Sequence, residues 1–127
     1  MNPQASRTLP GLRLRLAHTC LRRLRGLLGR RRPLGGHSGL LIVPCRAVHT
    51  VGMSYPIAAW FIGRDGRVLQ VRRLPPWRWA SCRGAVAVVE TSLDVLDAED
   101  GGVDRVEAAV KHCASRHFHG NQHKVGE

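Results

Sequence analysis

Negative charge is nearly absent from the first two-thirds of this chain. Residues 1–83 hold sixteen arginines and one acid, Asp65, a net of +15. Residues 84–127 reverse the balance, with eight acids against Arg105, Lys111, Arg116 and Lys124, a net of −4. Such asymmetry is the footprint of a surface for nucleic acid or an anionic membrane. Lysine is scarce too. Eighteen arginines against two lysines is also what a GC-rich genome produces without any partner, so charge alone assigns none.

Other absences narrow the class. No apolar run approaches the length that spans a bilayer. Arg13, Arg15, Arg22, Arg23 and Arg25 interrupt the leucines of the first thirty residues, so no secretory core fits there. An arginine-rich, acid-free start resembles a mitochondrial transit peptide, but motifs described below begin inside it. It therefore reads as part of the domain, and a cytoplasmic protein is expected. No C-x-x-C joins Cys20, Cys45, Cys82 and Cys113, and a disulfide framework is not the default without a signal peptide. No internal repeat is present. At 127 residues the chain is one domain, expected as a monomer.

What is present concentrates in Pro44 to Met53, Pro-Cys-Arg-Ala-Val-His-Thr-Val-Gly-Met. It sets a thiol, an imidazole, a hydroxyl and a thioether in an otherwise apolar, strand-like run. Polar groups there must be satisfied, buried at a cost, or used. Cys45/His49 and Cys113/His117 share a C-x-x-x-H spacing. In a strand those residues stand roughly 13 Å apart, too far to share a metal. Only a helix makes them neighbours, and a zinc site needs about four ligands. His112, His117, His119 and His123 crowd the C-terminus, where adventitious metal binding is the better account. No metal site and no cofactor are expected.

Periodicity gives the organisation. Residues 1–10 read as disordered, 11–110 as the domain, and 111–127 as a disordered His-rich tail. Leu12, Leu14 and Leu16 alternate with arginines, as in a half-buried strand. Leu21, Leu24 and Leu28 have helical spacing, with Thr19 as N-cap and a stop near Arg30. Gly39 to Val43 and Ala47 to Val51 read as strands, and Pro56 to Ile62 as a strand buried on both faces. Asp65-Gly66 is a hairpin turn between good strand residues. Pro75 to Trp79 is stiff and outside any ladder. Ala85 to Glu90 is another strand, and Val103 to Val110 has helix-like spacing. The class expected is α+β, mainly β: a small antiparallel barrel or sandwich with one short N-terminal helix and a divergent C-terminal segment.

Arg25-Gly26-Leu27-Leu28-Gly29-Arg30 opens an ordered series of motifs. Gly39-Leu40-Leu41 follows, then His49-Thr50-Val51-Gly52-Met53, Pro56-Ile57 and Phe61. Asp65-Gly66, Val68, Pro76-Trp77-Arg78, Cys82, Ala85 and Val89-Glu90 complete it. The series, over about residues 11–91, resembles the domain of unknown function 192 family. The resemblance implies a small, mostly β, single-domain bacterial or archaeal protein, with some members exported. That family's function is uncharacterised, so no catalytic residue carries over. Ala58 stands where the family usually has an acid, and Thr91 to Gly102 departs from its usual turn and last strand.

Several residues remain as site candidates. His49 suits a general base near its reference pKa, against a semi-buried histidine bonded to backbone. Cys82, between Arg78 and Arg83, makes a thiolate nucleophile conceivable, with His49 as its partner. The simpler reading makes Cys45 and Cys82 small apolar fillers, and a disulfide between them is a third. Trp77, Arg78 and Trp79 suit stacking on bases or a flat ligand, against closing one end of a barrel. Glu90, in an apolar strand, calls for a partner from the Arg22–Arg30 segment. The pocket candidates are thus His49, Met53, Trp77, Arg78 and Glu90, although Met53 reads more simply as core. Arg22, Arg23, Arg25, Arg30, Arg31 and Arg32 are the candidates for a polyanion or anionic surface. The function expected is a non-enzymatic binding or accessory domain. The alternatives are a polyanion binder through Arg22–Arg32 and a thiol-dependent enzyme using Cys82 and His49.

Overall fold

The structure, a computed structural model, describes residues 11–17 and 35–125, with side chains as far as Arg116. Seven strands and two helices follow in order: β1 (Arg13–Ala17), β2 (Ser38–Ile42), β3 (Ala47–His49), β4 (Ile57–Ile62), β5 (Val68–Leu74), β6 (Trp79–Ser81), β7 (Ala87–Thr91), α1 (Leu93–Leu96) and α2 (Val103–Val125). Five strands form one sheet in the order β1-β2-β7-β4-β5, and β3 pairs with β6 as a separate ribbon.

Strand β4 explains the layering. All six of its residues are buried. Successive side chains point to opposite faces, so Ile57, Ala59 and Phe61 enter one core and Ala58, Trp60 and Ile62 the other. The first core is closed by the ribbon through Val48 and Ala80. The second is closed by the helices through Val95, Val106, Ala109, Val110 and Cys113. The α2 residues of that set recur at the spacing of one helix face. A continuous apolar run is thus what a strand needs when both faces are covered.

The hairpin at Asp65-Gly66 joins β4 to β5, and Gly66 has φ +81°. The Asp65 carboxylate accepts the Arg67 amide at 3.1 Å, and Gly63 N–H donates to the Arg67 carbonyl at 2.9 Å. A residue without Cβ takes the left-handed region at no steric cost. Strand β1 alternates exposed Arg13 and Arg15 with partly buried Leu14 and Leu16, as the period-2 pattern predicts.

Two expectations are corrected. The main sheet is open, with β1 and β5 as its edges, so no barrel closes. It stays open because helices cover one face and a ribbon the other. The sheet is also mixed, since β1 and β2 run parallel. A parallel pair needs a crossover of about a dozen residues or more, and residues 18–37 supply the length. Among the described residues the helices are C-terminal; the N-terminal helix expected over 19–30 lies outside them, as does the segment 1–10 expected to be disordered. Helix α2 runs to Val125. Nothing between Gly102 and Val125 is proline, so the helix begun on its apolar face has no backbone reason to stop at Cys113.

Candidate functional site

One buried hydroxyl organises the end of the ribbon. Thr50 directly follows β3 and is fully buried. Its N–H donates to the Arg78 carbonyl at 2.9 Å, and its carbonyl accepts the Trp77 amide at 3.0 Å. Its Oγ1 donates to the Pro75 carbonyl at 2.6 Å and accepts the Arg78 amide at 2.8 Å. Four hydrogen bonds from one residue therefore fix Pro75 to Arg78. Pro75 and Pro76 offer no N–H to a ladder, so the segment needs this side-chain partner to be held at all. The turn so fixed places Trp77 at φ 63°. That left-handed region costs a side-chain-bearing residue about 1–2 kcal/mol, more than an unconstrained loop would retain.

The consequence is an aromatic surface. Trp77 is 62% exposed and Trp79 69% exposed. Trp79 opens β6 opposite His49 on β3, and their rings lie 4.8 Å apart, tilted by 43°. Directly opposite residues of an antiparallel pair share a face, so His49, Trp79, Ala47 and Ser81 form the outer face of the ribbon. His49 Nδ1 accepts the Val51 amide at 3.3 Å, which leaves the ring proton on Nε2 when the imidazole is neutral. A shallow cleft of about 300 Å³ beside Trp79 is lined by Ala47, Arg72, Ala80 and Ser81. Exposed Arg78 lies between the tryptophans, and exposed Arg46 and Arg83 lie at the ribbon's far end. The tryptophans thus face water and do not close a barrel, and Trp79 belongs to a ladder that the proline-rich sequence concealed.

The remaining candidates are not brought to this surface. Met53 is 5% exposed and packs in the ribbon-side core with Ile57, Phe61 and Val88. Glu90 is fully buried on β7, facing Leu40 and Ala59 across the sheet. Its expected partner from Arg22–Arg30 lies outside the described residues, as do Arg22, Arg23, Arg25, Arg30, Arg31, Arg32 and Cys20. Cys82 N–H donates to the Arg46 carbonyl at 2.9 Å, three residues along the ribbon from His49. At the rise of a strand that is ~10 Å, and an odd offset also puts the two side chains on opposite faces. The thiol and imidazole are not a hydrogen-bonded pair.

Cys82 and Cys113 are free thiols. Cys45 Sγ donates to the Ala47 carbonyl at 3.1 Å. Burial pushes the Cys113 thiol up, with Arg116 opposing weakly. No three His, Cys, Asp or Glu side chains gather as a metal-binding group among the described residues. Arg73 on β5 pairs with Asp97; each holds the other charged, the arginine raised and the carboxyl lowered, chiefly through their hydrogen bond. A second cleft of about 640 Å³ lies between the hairpin residues Arg64, Asp65 and Arg67 and the helix residues Glu107, Lys111 and Ser115. There Glu107 accepts the Val68 amide at 2.8 Å, tying helix to hairpin. Among the described residues no helix is long and apolar enough to cross a membrane.

Thr50 and Arg72 are the residues the sequence reading missed. Thr50 carried a signal, a lone hydroxyl in an apolar run upstream of Pro75-Pro76. Arg72 carried none, because its neighbour Trp79 is set by the docking of the ribbon on the sheet.

The profile of the domain of unknown function 192 family, described as uncharacterized ACR, matches residues 3–112. This chain belongs to that family. The match extends beyond residues 11–91 at both ends, so the acidic segment after Thr91 and the first half of α2 lie within it. No curated protein matches the chain. Among solved structures it is similar to a protein of unknown function from Novosphingobium aromaticivorans DSM 12444, with 25% identity and a TM-score of 0.56 over 64% of this chain and 63% of that one. It is also similar to a protein from Sinorhizobium meliloti 1021 named as a putative transcription regulator, with 21% identity and a TM-score of 0.55 over 65% of this chain and 70% of that one. At that identity the second likeness shows the fold alone.

Proposed function

We propose that this family member is a small non-enzymatic binding module, acting as a monomer in the cytoplasm, whose ligand-facing surface is the β3–β6 ribbon and the 75–78 turn. The observation that carries this reading is the exposure of Trp77, on a turn held in a left-handed conformation by buried Thr50, and of Trp79 at the adjoining start of β6. Two indoles in water gain nothing for the fold, and a strained backbone persists only where its surroundings enforce it. Tryptophan is also the residue most enriched where binding energy concentrates. The enzyme alternative loses support from the ribbon register, which separates Cys82 from His49. The chemistry offered is a flat aromatic face, an imidazole edge and guanidinium donors, which suits an anion with a planar part. Arg22 to Arg32 add cationic charge to the same acid-poor stretch of chain and would strengthen the field without forming the aromatic face.

The test is a binding screen read by intrinsic fluorescence with polyanions, nucleotides and oligosaccharides. The reading expects a ligand whose binding is lost in Trp77→Ala/Trp79→Ala and kept in Lys111→Ala, on the opposite cleft. Binding that survives the double substitution and fails in Lys111→Ala would move the site to the hairpin–helix cleft and overturn the reading.

A further inference from the structure

We infer that the ligand of this surface is single-stranded nucleic acid, bound without strong base preference; the inference rests on the binding-surface reading above. Three observations carry it. First, both indole faces are presented outward at one end of a ribbon. Bases inside a duplex are already stacked on each other and offer no face to an external ring, whereas an unpaired strand does. Second, the charge around the tryptophans has one sign. Between Gly66 and Val89 there is no acid at all, and Arg72, Arg78 and Arg83 are exposed there, with Arg46 across the ribbon. The Arg73 charge on the same strand is taken up by Asp97, which leaves the pattern confined to the ribbon side.

Third, hydrogen-bonding types discriminate between ligands. A site for a neutral sugar needs acceptors as well as donors near its aromatic plane. The side chains lining the cleft beside Trp79 are Arg72, Ser81 and two alanines. Ser81 brings a single hydroxyl able to accept, while the guanidinium groups donate and never accept. Donor-only cations beside aromatic faces match phosphates beside bases. The same lining lacks asparagine, glutamine and carboxylates, which read adenine and cytosine edges; with Arg72 assigned to phosphate, stacking supplies affinity with little sequence selection. The ribbon runs from Trp77 to Arg83, enough for a few nucleotides.

The experiment titrates the full chain with a twelve-residue oligothymidylate, following anisotropy and tryptophan emission, beside a duplex of equal length, heparin and a neutral oligosaccharide. The oligothymidylate is expected to quench emission and to bind more tightly than the duplex. Affinity should fall steeply from 50 to 200 mM salt, as phosphate contacts require. Trp79→Ala should weaken binding about 5- to 150-fold, the range for losing one stacked base, and Arg72→Ala should flatten the salt dependence. Both residues are exposed, and retained thermal unfolding of each variant shows that the fold is intact. If heparin matches the oligothymidylate and Trp79→Ala binds both as the parent does, the site is only electrostatic and the inference fails. If heparin or the sugar perturbs Trp77 and Trp79 while the oligothymidylate does not, the surface stands and the ligand class is wrong. If nothing perturbs either tryptophan, both fall.

Discussion

Thr50 and Arg78 hold each other reciprocally: Thr50 N–H donates to the Arg78 carbonyl at 2.9 Å, and Arg78 N–H donates to the Thr50 hydroxyl at 2.8 Å. The same hydroxyl donates to the Pro75 carbonyl, so one buried oxygen serves two backbone groups of a segment that has no ladder of its own. Thr50→Val keeps the shape and removes both bonds. Leaving such groups unpaired costs about 1–3 kcal/mol, so urea unfolding should show a loss in that range. Thr50→Ser should recover most of it. Emission from Trp77 and Trp79 should also change in the valine variant before unfolding begins.

Trp77 separates stability from binding. Its φ of 63° suits glycine, so Trp77→Gly relieves backbone strain while loosening the unfolded chain. These effects oppose each other at about 1 kcal/mol apiece. Stability should stay within about 1 kcal/mol of the parent by urea unfolding, while ligand affinity falls. A β-branched valine relieves no strain and should lose stability at the same position.

Gly102 sits where no side chain fits. It has φ +80°, and an added Cβ would stand 2.4 Å from the Val95 carbonyl oxygen and 3.0 Å from the Trp60 ring. Gly102→Ala combines a left-handed penalty with overpacking, together about 2–4 kcal/mol. Thermal unfolding should register this as one of the largest losses available to a single substitution away from the core strands.

Cys113 makes stability depend on alkaline pH. Burial on the apolar face of α2 pushes its thiol up, so the folded state favours the neutral form. That preference is fully present below the ordinary thiol range near 8.5 and is lost as pH rises through the folded value, where the thiolate must form in either state. Stability should therefore decline as pH rises above about 8.5, and Cys113→Ala should remove that component. Peptide mapping after iodoacetamide treatment at pH 8 should find Cys113 modified more slowly than Cys82, with the difference gone in urea.

Legibility in the sequence followed element length. Strand β4 and its hairpin were readable because six consecutive apolar residues and Asp65-Gly66 are local signals. The β3–β6 ribbon was not, because three-residue strands carry too little pattern to register pairing. The parallel β1–β2 pair depends on where a long connection returns, which no local period encodes. Helix α2 was half legible: Val103 to Val110 shows its face, but the histidines after Cys113 dilute the pattern and resemble a tail. In the site, the polar run Pro44 to Met53 holds both His49, on the outer face of the ribbon, and the buried Thr50. The imidazole is legible from its chemistry alone, whereas the role of Thr50 depends on its bonds to Pro75 and Arg78, about 25 residues away.

On the proposed reading Trp77 and Trp79, and not the core or the hairpin–helix cleft, meet the ligand. Indole N–H resonances test it directly, because the three tryptophans divide cleanly. Trp60 is fully buried and donates to Thr91 Oγ1 at 2.9 Å, while the other two face water. In a two-dimensional proton–nitrogen spectrum titrated with oligothymidylate, the Trp77 and Trp79 indole peaks should move together and saturate, with Trp60 stationary. Fixed Trp77 and Trp79 peaks, with shifts instead at Arg64, Arg67 and Lys111, would contradict the account.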